Sequence, residues 1–164
     1  MDGRAPSMRM ALTVNGGPVE AVIEPRELLL DFLRDRLSLT GAKRSCDVQV
    51  CGACTVLLDG QAVSACCTLA YEARGREVTT IEGLAADGHL HPLQEAFIEH
   101  AAVQCGFCTP GMILTAATLL HDVPAPTAEQ AKDYLKGTLC RCTGYWKIIE
   151  AVVDAGRRTR ETRE

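Results

Sequence analysis

Met8, Met10, Leu12 and Val14 alternate with polar or small residues, which is the period of a half-buried strand. Asn15-Gly16-Gly17 follows as a turn signal, and residues 19–23 resume as a second strand. Residues 28–37 change period: Leu29, Phe32, Leu33 and Leu37 fall on one face of a helix. Residues 55–58, Asp59-Gly60 and residues 62–65 read as a second hairpin, and residues 76–81 as a last strand. Two strands, a helix and three strands predict a small mixed sheet packed on one helix.

The second half is helical throughout. Leu93, Ala96, Phe97 and Ala101 keep helical spacing across residues 92–102. Thr109 before Pro110 reads as an N-cap and an N1 proline, opening a helix that runs to about residue 121. Val123-Pro124-Ala125-Pro126 breaks it. Thr127 with Gln130 is a capping box for a third helix, which Gly137 would close as a left-handed C′ residue. A fourth helix spans residues 145–158, and the Arg-rich stretch 157–164 reads as its frayed end. Gly83, Gly88 and polar residues cluster near 82–91, so the expected domains are 1–82 and 83–164. The fold class is α+β.

The chain has 164 residues, 47% apolar and 23% charged, with a net charge of −4. That charge argues against nucleic acid as a partner. Residues 1–10 carry Asp2, Arg4 and Arg9 and no apolar h-region, so no secretory signal is expected. The longest apolar-rich stretch, 112–120, is too short to span a membrane. Aromatics are only 4%, so the cores must be aliphatic and small, and small cores are often stapled by metal or covalent bonds. The chain has nine cysteines. In a chain expected to be cytoplasmic these point to metal rather than to disulfides, and an odd count fits a full disulfide set poorly.

The cysteines fall in two groups. Cys46-x4-Cys51-x2-Cys54, with Cys66 after eleven further residues, has the plant-type [2Fe–2S] spacing, three ligands in one loop and the fourth elsewhere. An oxidised cluster with four thiolates carries a charge of about −2, which needs donors if it is to be buried. Gly52 and Ala53 leave the backbone free to approach it. Cys105-x2-Cys108 and Cys140-x-Cys142 form the second group, each pair just before a predicted helix. Two pairs there could grip one cluster at the positive ends of two helix dipoles. Zinc is the competing reading, though Cys-x-Cys is short for a zinc ribbon. Of adjacent Cys66 and Cys67, residues on a strand would face opposite ways. Cys66 is taken as the ligand and Cys67 as an inert core thiol. No histidine pair fits a Rieske centre, and no catalytic residue can be singled out.

Cys46-x4-Cys51-Gly52-Ala53-Cys54-Thr55-Val56, Gln104-Cys105-Gly106-Phe107-Cys108-Thr109-Pro110-Gly111-Met112 and Leu139-Cys140-Arg141-Cys142-Thr143-Gly144-Tyr145 closely resemble the iron–sulfur subunit of the molybdenum hydroxylases, the xanthine oxidase family. The resemblance implies a plant-ferredoxin-like β-grasp domain followed by a four-helix-bundle domain, each with one [2Fe–2S] cluster. It implies an electron-transfer subunit of an oxidoreductase complex, with molybdopterin on a large partner and FAD on a medium partner, as a dimer of heterotrimers. It supports Cys66 as a ligand, and it implies that Gln104 and Cys142 contact the partner's pterin and that the helical-domain cluster faces molybdenum. The competing reading of Gln104 is a cap on the nearby helix.

The chain departs from the family at Gln49, where Gly is usual, and at Val50, where Glu or Gln often stands. Gly there implies a backbone conformation that a side chain resists. Two other functions fit the residues alone: a free-standing two-cluster electron carrier, and a zinc-stapled interaction module.

Overall fold

The computed structural model describes residues 6–161. The expectation of no leader in residues 1–10 falls partly on residues 1–5, outside that range, and the Arg-rich stretch ends outside it, at 162–164.

Strands β1 (Met8–Val14) and β2 (Gly17–Ile23) pair antiparallel, with Val14 opposite Gly17. Asn15 and Gly16 bridge them with φ of 51° and 77°, the two positive values that a type I′ hairpin requires. Helix α1 (Leu29–Asp31) runs on into a π-helical turn (Phe32–Arg36). Strands β3 (Thr55–Leu58) and β4 (Gln61–Ser64) repeat the hairpin device at Asp59 and Gly60, with φ of 48° and 78°. Strand β5 (Glu77–Thr79) lies parallel to β1 and antiparallel to β3, giving the order β2-β1-β5-β3-β4. Met10, Leu12 and Val14 point inward to meet Leu29, Leu30, Phe32, Leu33, Val56 and Val78, all buried. The expected mixed sheet on one helix is present.

The second half comprises α2 (Pro92–Glu99), α3 (Thr109–Asp122), α4 (Ala128–Tyr134) and α5 (Trp146–Glu161). Leu93, Phe97, Met112, Ile148 and Val152 form a second buried core. Among the described residues no helix is long and apolar enough to cross a membrane.

Four local details differ from the sequence reading. Helix α2 stops at Glu99 because Ala101 is left-handed at φ 50°, with Ala102 N–H bonded back to the Phe97 carbonyl and Ala101 N–H to that of Ile98. This is a Schellman closure made without glycine. Thr109 is already inside α3; Cys108 is its N-cap, and the Cys108 carbonyl accepts from Met112 N–H. Gly137 is not left-handed. It ends a 3-10 turn (Leu135–Gly137) that continues α4, and the extended Thr138 makes the exit. Residues 157–161 are helix rather than frayed end: Arg157 pairs with Asp154 at 2.7 Å, and Arg158 bridges Asp154 and Glu99 of α2.

Candidate metal centres

The first cysteine loop, residues 43–54, is closed at its base by Lys43 N–H on the Ala53 carbonyl, 2.9 Å. Arg44 ties its side to Asp31 and Asp47. Within it the amides of Val50 and Cys51 point at Cys46 Sγ, both at 3.4 Å. Amides of Val48, Val50 and Cys51 pull the Cys46 thiol down to about 6. The buried Cys54 behaves oppositely: desolvation, with Cys66 close by, pushes it up to about 12. Cys46 interacts with Cys51, and Cys54 with Cys66. The loop, with Cys66 from the turn after β4, thus supplies two thiol pairs, one with its Cys46 sulfur cradled by amides and one buried. Coordination by a metal deprotonates even the resistant thiols.

The second group is assembled from two distant segments. Cys142 Sγ lies 3.4 Å from Cys105 Sγ. Cys108 and Cys140 form the other pair. Two thiolates on one tetrahedral ion with metal–sulfur bonds of ~2.3 Å sit about 3.8 Å apart, so Cys105 and Cys142, at 3.4 Å, are close to the spacing of ligands on one iron. Burial, then Cys140, pushes the Cys108 thiol up to about 12. Cys140 is held below its ordinary value: burial opposes this, but the hydroxyl and amide of Thr143 and the amide of Cys142 outweigh it. Thr143 Oγ1 is 3.1 Å from Cys140 Sγ and accepts from Tyr145 N–H, so its own proton is free for the sulfur.

The two groups abut. Leu139 N–H donates to the Cys51 carbonyl at 2.9 Å. A Cβ on Gly111, at the start of α3, would lie 2.2 Å from the Gly52 carbonyl oxygen, and one on Gly52 would lie 2.5 Å from that of Gly137. Glycine is required at both positions for the cysteine loops to touch.

The sequence pattern of the 2Fe-2S iron-sulfur cluster binding domain matches residues 12–84, and that of the [2Fe-2S] binding domain matches residues 80–153. The chain is 50% identical over 153 residues to the nicotine 6-hydroxylase small subunit of Paenarthrobacter nicotinovorans, covering 92% of each. It is 50% identical over 141 residues to the nicotinate dehydrogenase small FeS subunit of Eubacterium barkeri, covering 86% of this chain and 90% of the relative. The structure superposes on quinoline 2-oxidoreductase from Pseudomonas putida 86 with a TM-score of 0.91 at 44% identity, over 94% of this chain and 97% of that one. The chain belongs to the small [2Fe–2S] subunits of the molybdenum hydroxylases. It is the iron–sulfur electron-transfer subunit of a multisubunit hydroxylase complex.

In this small subunit Gln104 is exposed beside Cys105. The N-cap of α3 is Cys108, whose side chain makes no cap bond. Cys67 is not a core thiol. It is exposed, because Cys66 and Cys67 lie in a turn after β4 rather than on a strand, and strand alternation does not apply to them. Gln49 stands at φ 57° and Asp47 at φ 55°, the left-handed conformation for which glycine is suited.

Sequence reasoning gave no role to Thr143, Tyr145 or Gly111, and read Gly52 only as leaving the backbone free to approach a cluster. Tyr145 is left-handed at φ 68°, and its hydroxyl accepts the Cys140 N–H at 2.8 Å. The Thr143-Gly144-Tyr145 run was visible, but its contacts with Cys140 depend on the turn it forms.

Proposed function

We propose that Cys46, Cys51, Cys54 and Cys66 hold one [2Fe–2S] cluster and that Cys105, Cys108, Cys140 and Cys142 hold the other. The observation that carries this reading is the pairing of sulfurs from separate segments, Cys142 with Cys105 at 3.4 Å. The amides on Cys46 and the hydroxyl and amide on Cys140 supply donors for a buried negative cluster. Each cluster supplies a one-electron redox centre. The chain's own part is to fix four thiolates around it, exclude water from Cys54 and Cys66, and bring the two cysteine loops into contact. We assign residues 1–82 to the ferredoxin-type domain and 83–164 to the helical one.

The helical-domain site faces a molybdopterin-bearing large subunit, and the N-terminal site faces outward toward FAD on a medium subunit. Gln104 and Cys142 are both exposed beside the second site, and an amide has the donor and acceptor that a pterin edge requires. Exposed Val103, Phe107, Leu139 and Trp146 flank them and suit a partner surface. The assembly is a cytoplasmic dimer of heterotrimers. Its substrate, a small organic or heteroaromatic molecule, meets only the large subunit, and nucleic acid is not a partner.

Metal analysis of the purified complex tests the ligand assignment. Eight cysteines at four per two-iron cluster require four irons and four acid-labile sulfides per chain, with two distinct EPR signals on full reduction. Zinc in place of iron, or a single signal, would contradict it. Cys66→Ala should lose the N-terminal signal and Cys67→Ala should keep it; the reverse would move the ligand by one residue.

A further inference from the structure

We propose that Cys67 is a positioning residue for the N-terminal cluster, its S–H donating to the Cys66 sulfur and holding that cluster's reduction potential up. The inference rests on Cys66 being a cluster ligand.

Cys67 Sγ lies 3.7 Å from Cys66 Sγ and 3.8 Å from the Asp47 carbonyl oxygen. Both distances suit a sulfur hydrogen bond. A thiol carries one proton, so the two acceptors compete for it. A Cys66 bound to iron is a thiolate with no proton of its own, and a charged acceptor outcompetes a neutral carbonyl. The proton therefore belongs to the Cys66 sulfur. Asp47 adjoins Cys46, so Cys67 sits between the segments that carry two of the ligands.

The turn that carries Cys67 is pinned on three sides. Cys67 N–H donates to the Ser64 carbonyl at 2.9 Å, and Ala65 N–H to the Cys54 carbonyl at 3.3 Å. The Ala65 and Thr68 carbonyls accept from Leu30 and Leu29 of α1, at 3.0 and 2.8 Å. The Cys67 backbone is thereby fixed beside one ligand residue, with its sulfur 3.7 Å from the Cys66 sulfur.

Reduction adds one electron to the cluster, and the added charge spreads onto its ligand sulfurs. A donor on such a sulfur favours the reduced form, so hydrogen bonds to the sulfurs raise the potential. Removing the donor should make the N-terminal cluster harder to reduce and leave the helical-domain cluster unchanged. Serine keeps a donor at the same place.

The test is an EPR-monitored redox titration of the assembled complex carrying wild-type chain, Cys67→Ala or Cys67→Ser. Cys67→Ala is expected to shift the reduced-to-oxidised ratio of the N-terminal cluster at least threefold toward oxidised at fixed potential. That is a midpoint about 28 mV lower at 59 mV per tenfold. Cys67→Ser should stay near wild type, and the second cluster should titrate as before in all three. An unchanged midpoint in Cys67→Ala overturns the proposal, as does an equal shift in Cys67→Ser or a shift of both clusters. Loss of the N-terminal signal in Cys67→Ala would instead make Cys67 a ligand, which overturns the assignment of Cys66 as well.

Discussion

The backbone N–H of Leu139 donates to the carbonyl of Cys51 at 2.9 Å. Cys51 belongs to the first cysteine loop, and Leu139 is one peptide from Cys140 in the second, so a single hydrogen bond joins the two cysteine groups through the backbone. Thr115 Oγ1 meets Thr138 Oγ1 at 3.3 Å beside it.

Gly111 maintains that contact. A methyl group there would sit 2.2 Å from the Gly52 carbonyl oxygen, and backbone on both sides would have to move. Gly111→Ala should destabilise the holoprotein by about 1–3 kcal/mol and weaken the magnetic interaction between the two reduced clusters. Thermal denaturation and EPR of the fully reduced complex check the two effects separately. An alanine variant with wild-type stability and coupling would show that the loops do not need this approach.

Gln49 holds a left-handed conformation at φ 57° without the freedom of glycine. An L-residue there costs about 1 kcal/mol, partly offset by the unfolded-state entropy of glycine. Gln49→Gly should therefore slow release of iron from the N-terminal site to a chelator, with the helical-domain site as internal reference. Faster release would mean that the Gln49 side chain contributes more than its backbone costs.

His91 caps α2, its Nδ1 accepting the Leu93 N–H at 3.2 Å, and burial lowers its pKa from the ordinary 6.5. A neutral ring is needed to accept. The cap is fully present above pH 6.5 and is lost as the pH falls through the lowered folded value, because protonation then favours the unfolded chain. His91→Ser keeps a side-chain oxygen at the cap without a titrating ring. Melting temperatures at pH 7.5 and 5.5 should fall more for the wild type than for His91→Ser. Equal falls would remove His91 from the pH response.

Most of the fold was legible because its signals are local. The alternation of Met8 to Val14, the two glycine turns, and the Thr127–Gln130 capping box each act within a few residues. What was not legible depends on partners far along the chain or on rare backbone states. Ala101 closes α2 in a conformation for which a sequence ordinarily signals glycine. Cys67 is exposed because the strand ends at Ser64, one turn before it. The cysteine spacing announced two groups, but the cross-segment pairs, Cys105 with Cys142 and Cys108 with Cys140, arise only when α3 and the segment before α5 meet. Gly52 and Gly111 could be read as permissive glycines; their mutual contact is visible only in three dimensions.

The orientation of the subunit is tested most directly by the magnetic coupling between Mo(V) and each reduced cluster in the assembled complex, measured as splitting of the Mo(V) EPR signal. With the site of Cys105, Cys108, Cys140 and Cys142 facing molybdenum, the splitting should come chiefly from the helical-domain cluster. Gln104→Ala should leave both cluster signals present while weakening retention of the molybdenum cofactor. Stronger coupling of Mo(V) to the cluster of Cys46, Cys51, Cys54 and Cys66 would reverse the orientation and contradict it.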